Sequence, residues 1–134
     1  GLVGMLIAII QVCNKVVTVC YDYRTGVRDA PQEISWILNE VSSVCSVAQR
    51  LLQVAETDQT GALPSLQAMT GDDGTLPKCL TELVDLKTRL KLGKRSAWKS
   101  AFVWPLKRPD AEKKLQSIEQ MKETLQLALS ADTA

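Results

Sequence analysis

The first 25 residues constrain this chain more than any other stretch. No charged side chain precedes Lys15, and polar residues recur at Gln11, Asn14, Lys15, Thr18, Asp22 and Thr25, with Arg24 beside the last two. Their steps of three and four stack them on one narrow stripe of an α-helix. Upstream the stripe runs through Gly4 and Ala8, the smallest residues of that turn. The rest of the circumference is Leu, Val, Met, Ile, Cys or Tyr. Such a helix needs burial on several sides, by other helices or by lipid. The remaining chain is therefore expected to be its coat, and the function to turn on whether the coat stays closed.

The opening run is not read as a signal peptide, because it lacks a basic leading segment and a small-residue cleavage site. The uncharged run before Lys15 reaches only about 20 Å as helix, short of the roughly 30 Å of a bilayer core. It is therefore expected to be too short to span. At 134 residues the simplest reading is one domain with a proper core. Hydrophobic content of 46% with only 4% aromatics points to an aliphatic, all-α interior.

Further helices follow from the same periodicity. Asp29 and Gln32 read as a capping box around Pro31. Ile34, Leu38, Val41, Cys45, Ala48, Leu52 and Ala55 then keep a heptad seam, with Trp36 off it. Leu63, Leu66 and Met69 suggest a short helix before the turn residues 70–74. A third long helix is expected from Thr75, as N-cap, to Gly93, as C-cap, with Leu76, Cys79, Leu83, Leu86 and Leu90 inward. Ser96–Trp104 reads as a short amphipathic helix that Pro105 cannot extend. The last helix opens at Pro109 and Asp110 and carries Ala111, Leu115, Ile118, Met121, Leu125 and Ala128 or Leu129. Its Lys and Glu residues read as solvated surface. Short connections favour an antiparallel bundle of four main helices plus the short one at Ser96.

Catalysis has little support. The chain has no histidine, no GxSxG turn and no phosphate-binding glycine loop. Cys13, Cys20, Cys45 and Cys79 lie in apolar patterns without CxxC spacing. They read as buried reduced thiols rather than metal ligands or disulfides, which places the chain in a reducing compartment. No cofactor is expected.

Charge is unevenly spread. The net charge is only +1, yet residues 86–109 carry eight basic and no acidic side chains. Lys94, Arg95, Lys99, Lys107 and Arg108 interleave there with Trp98, Phe102 and Trp104. That mixture suits an anionic membrane surface. It equally suits aromatics capping a core beneath solvated lysines. Nucleic acid fits less well, since the patch is short and matches no nucleic-acid module.

Taken together, the apolar start Gly1–Val12, Lys15-Val-Val and Cys20-Tyr-Asp-Tyr23 resemble the opening of the HeLo-like N-terminal domains of fungal NOD-like (STAND) receptors. Ala30-Pro-Gln-Glu-Ile34, Leu38-Asn-Glu-Val41, Leu63-Pro-Ser-Leu66, Cys79-Leu-Thr-Glu-Leu83, Trp104-Pro-Leu-Lys107 and Leu125-Gln-Leu-Ala-Leu129 continue the likeness over nearly the whole chain. Leu106 departs from the pattern, which favours an aromatic there.

The resemblance implies a helical bundle opening a larger receptor, with a nucleotide-binding domain downstream. It also implies a cytoplasmic cell-death and innate-immunity effector of the heterokaryon-incompatibility kind. Such a domain oligomerises and moves to the plasma membrane, which its N-terminal helix disrupts. On that reading Leu2, Val3, Leu6, Ile7 and Ile10 insert into lipid. Lys94, Arg95, Trp98, Lys99, Trp104, Lys107 and Arg108 then meet anionic headgroups. The alternative is a non-lytic adaptor or autoinhibitory module that binds another protein's helices.

Overall fold

The first helix, α1, runs Leu2–Gly26, as the opening pattern predicts. Its inward residues are Leu2, Leu6, Ile9, Cys13, Val16, Cys20 and Tyr23, spaced by three and four, with Val12 and Val19 beside them. Gln11, Asn14, Lys15, Thr18 and Thr25 are exposed. The computed structural model describes residues 1–26, 31–58, 63–95 and 104–134, with backbone alone for 94 and 95. The described residues are helical with no strand, in the order α1, α2 (Gln32–Thr57), α3 (Pro64–Gln67), α4 (Thr75–Arg95) and α5 (Arg108–Thr133). The proposed cap residue Asp29 and most of the predicted Ser96–Trp104 helix lie outside the described residues; Trp104 itself is not helical.

The four long helices close a ring of contacts: α1 touches α2 and α4, and α5 touches α2 and α4. Arg24 Nη2 donates to Ser35 Oγ at 3.3 Å, so the end of α1 meets the start of α2. Tyr23 Oη donates to the Leu90 carbonyl, so the C-terminal ends of α1 and α4 lie side by side. One contiguous aliphatic core fills the ring.

In α4 the predicted seam holds completely, since Leu76, Cys79, Leu83, Leu86 and Leu90 are all fully buried. Gly93 does not end the helix. It is buried inside α4, which continues to Arg95. A glycine costs a helix about 1 kcal/mol, which tertiary packing readily overrides. In α2 the buried face is wider than the predicted seam. Ile37, Val44 and Leu51 join it, whereas Cys45, Leu52 and Ala55 are only half-buried. A heptad seam assumes one partner, and α2 has two.

The α2-to-α4 connection crosses one end of the ring and is tied there. Asp132, in the last turn of α5, accepts from Ser65 N at 3.0 Å and Leu66 N at 2.8 Å. These are early N–H groups of α3 that have no partner within their own helix. Further along, Met69 O accepts from Leu76 N at 3.2 Å, and a Cβ on Gly74 would lie 2.1 Å from that same oxygen. Only glycine lets the turn pass so close.

Desolvation pushes the Asp132 carboxyl up, but the hydrogen bonds from Leu66 and Ser65 more than reverse it, leaving its pKa below the ordinary value. A depressed carboxylate stabilises the fold above its unfolded pKa, and the contribution fades as pH falls through the folded one. Replacing Asp132 with Ala should cost about 0.5–2 kcal/mol, the usual loss for a helix cap. Urea titrations at neutral and acid pH check this, and the gap between parent and variant should narrow as Asp132 protonates.

Candidate functional site

Two regions carry the residues singled out from the sequence, and they occupy opposite ends of the molecule. On α1, Leu2 and Leu6 are buried, and Ile10 is half-buried. Val3 and Ile7, four apart, remain 37% and 40% exposed. Among the described residues, α2 and α4 are the helices that pack along α1, and the face carrying Val3 and Ile7 stays open. That face changes character along its length. Val3, Gly4 and Ile7 are apolar, whereas Gln11, Asn14, Lys15 and Thr18 are polar. An open cavity of about 420 Å³ beside the tip is lined by Gly1, Val3, Gly4, Ala55, Leu63 and Gln67, among others.

The expectation that the opening segment is too short to span needs correction. It stopped at Lys15, but the helix does not. α1 is 25 residues long and, by length and composition, apolar enough to cross a bilayer, while 33% of its most apolar window is buried. A core helix passes the same test.

The basic segment lies where α1 and α4 end and α5 begins. Lys94 and Arg95 occupy the last turn of α4, and Trp98 and Lys99 lie outside the described residues. Trp104 packs inward, with its ring edge-to-face against Tyr23 at 5.2 Å and 88°. Leu106, the departure from the aromatic pattern, is buried in the core. Lys107 is exposed at the N-cap of α5. The Arg108 guanidinium lies 5.1 Å above the Trp36 ring, and its Nε is 3.1 Å from Glu112 Oε1. Trp104 and Arg108 are therefore engaged with their own bundle, as the core-capping reading expects of aromatics.

A helix of 25 residues is about 37 Å long. The apolar tip of α1 is separated from the basic segment by that distance. In this arrangement the two cannot meet one membrane end-on together.

Tyr23 was hidden in the sequence within a uniformly apolar pattern. Its place on the Ile9–Cys13–Val16–Cys20 row is the signal that separates it from exposed Tyr21. Two lysines of α5 depart from the solvated surface expected there, whereas Lys113 keeps to it. Lys114 Nζ sits 2.9 Å from Glu82 Oε2 and 2.6 Å from Asp85 Oδ2, and Lys122 Nζ sits 3.1 Å from Glu40 Oε1; both lysines are largely buried. Their partners are on other helices, which periodicity within α5 cannot reveal. The hydrogen bond from Lys114 holds the Asp85 carboxyl below its usual range.

Cys13, Cys20 and Cys79 are buried free thiols and Cys45 is half-buried. Burial pushes Cys20 and Cys79 up to about 12, and Cys13 higher still. Such thiols stay protonated and unreactive. Among the described residues no group of three or more His, Cys, Asp or Glu is placed to hold a metal. No protein-family model, curated protein or solved structure matches this chain.

Proposed function

We propose that this is a non-enzymatic membrane-permeabilising effector domain of the HeLo-like kind, a four-helix bundle that opens a larger receptor and acts once clustered. The observation that supports this most is α1. It is the most apolar helix, it is long enough for a bilayer, and it keeps Val3 and Ile7 uncovered at its tip. Bundle and inserted helix are two states of one sequence, and clustering favours insertion only by binding the inserted state better. Because tip and basic segment lie at opposite ends, α1 must leave the bundle before both meet one bilayer. In that state Leu2, Leu6 and Ile10 join Val3 and Ile7 in lipid.

The adaptor reading draws on a different observation. Trp104 packs against its own bundle, which removes one aromatic from a headgroup-binding surface. Leakage of dye from anionic vesicles separates the readings, since the effector releases dye when clustered and an adaptor leaves vesicles intact. Replacing Lys94, Arg95 and Lys99 with Glu should weaken vesicle binding, with helical content and melting temperature nearly unchanged. Each cation near the headgroups contributes about 1 kcal/mol, so the three changes should cut binding by orders of magnitude at low salt and by less at high salt. Unchanged vesicle binding assigns this segment to protein contacts or solubility.

A further inference from the structure

The near-zero net charge conceals a charge polarity along the bundle axis. The contacts Arg24–Ser35, Tyr23–Leu90 and Arg108–Trp36 gather the ends of α1 and α4 with the starts of α2 and α5. That end carries Arg24, Lys87, Arg89, Lys91, Lys107 and Arg108. Acidic side chains are fewer there, namely Asp22, Glu33, Asp110 and Glu112, and Arg108 pairs with Glu112 and Arg89 with Asp85.

The opposite end is fixed by the Asp132 tie to α3 and by the cavity shared between Gly1, Gly4, Ala55 and Leu63. It presents Glu56, Asp58, Asp72 and Asp73 against two basic side chains among its described residues, Arg50 and Lys78. Glu56, Asp72 and Asp73 are exposed. The axial distance between the ends is set by α4, whose 21 residues measure about 32 Å. This is several Debye lengths at physiological salt, about 8 Å each, so the two ends do not neutralise one another within one chain.

From this polarity we infer that the occupant of each end is the other end of a second copy: the bundles associate head to tail, basic end on acidic end. A net charge of +1 leaves almost no overall repulsion to oppose the approach. A head-to-tail contact buries two different surfaces, so it leaves one of each free and propagates into rows unless it closes as a ring. This gives the self-association of the proposed function a specific geometry, and it is tested without membranes, so either can fail alone.

The test is sedimentation velocity of the full 134-residue chain at low and high salt, without vesicles. Two charge-reversed variants accompany it, each confirmed helical by circular dichroism. One carries Lys87→Glu, Lys91→Glu and Lys107→Glu, and the other Glu56→Lys, Asp72→Lys and Asp73→Lys. The parent should grow beyond a dimer as concentration rises at low salt and return to monomer at high salt. Each variant alone should lose the growth, because both of its ends then carry one sign, and an equimolar mixture should grow again, because every end of one variant meets ends of opposite sign on the other. If a reversal does not fold, the same three positions changed to Gln or Asn take its place with the same expected losses. A parent that stays monomeric at low salt overturns the proposal. So does association that ignores salt, a variant that grows like the parent, or a mixture that stays monomeric.

Discussion

Leu6→Glu should unfold the domain, and its neighbour Ile7→Glu should leave it folded and unable to permeabilise vesicles. Leu6 is 0% exposed and lies on the row that packs into the core. Fully enclosed, it leaves a long side chain no route to water. A buried carboxylate without a partner costs several kcal/mol, much of the roughly 5–15 kcal/mol that holds a domain together. Ile7 is 40% exposed, so its carboxylate stays in water, where a surface change is usually within about 0.5 kcal/mol. Near mid-bilayer the same charge costs roughly 2.5–3.5 kcal/mol or more. The two states of α1 thus respond very differently to one substitution. Thermal melts followed by circular dichroism check the folding half. Dye release under forced clustering checks the other, with Ile7→Ala expected only to reduce it. If folded Ile7→Glu protein releases dye as well as the parent, α1 is not the inserting element and the adaptor reading is the better one.

Leu83→Ala should destabilise the domain by about 2–5 kcal/mol, the range for a cavity left by a buried leucine. Leu83 sits mid-helix in α4 with Cys79, Leu86 and Leu90, all of them fully buried. The surrounding core is aliphatic, and close-packed interiors relax only partly around a void. Leu38, which keeps slight exposure, should fall toward the lower end of the range. Leu127 is 72% exposed and provides the control: its Ala variant should melt with the parent. Urea denaturation of the three variants measures the ordering, and a Leu83 loss as small as that of Leu127 would show that the assigned core face of α4 is wrong.

The legible part of this fold was the part set by one helix against its surroundings. The polar stripe of α1 gave its length and the exposed Gln11, Asn14, Lys15, Thr18 and Thr25, though not exposed Val3, Ile7 and Tyr21, and the α4 seam gave five buried side chains without error. What stayed hidden depends on a second partner. Ile37, Val44 and Leu51 join the buried face of α2, which packs against both α1 and α5. Lys114 and Lys122 are withdrawn from water because Glu82, Asp85 and Glu40 wait on different helices. The candidate site was legible as composition and not as placement. Nothing in the spacing of Val3, Ile7, Lys107 and Arg108 says that the apolar tip and the basic segment face away from each other.

The pairing of α1 with α4 has a consequence for synthesis. α1 leaves the ribosome first, and α2 can cover it soon afterwards, but α4 ends about 70 residues after α1 does. At about 5–20 residues per second, the most apolar helix spends on the order of several seconds with its second side bare. The crossover is pinned later still, because its anchor Asp132 follows the end of α4 by 37 residues. During that interval the nascent chain presents to chaperones and membranes the surface that the finished bundle hides, so its handling on the ribosome bears directly on whether the cell receives a soluble protein.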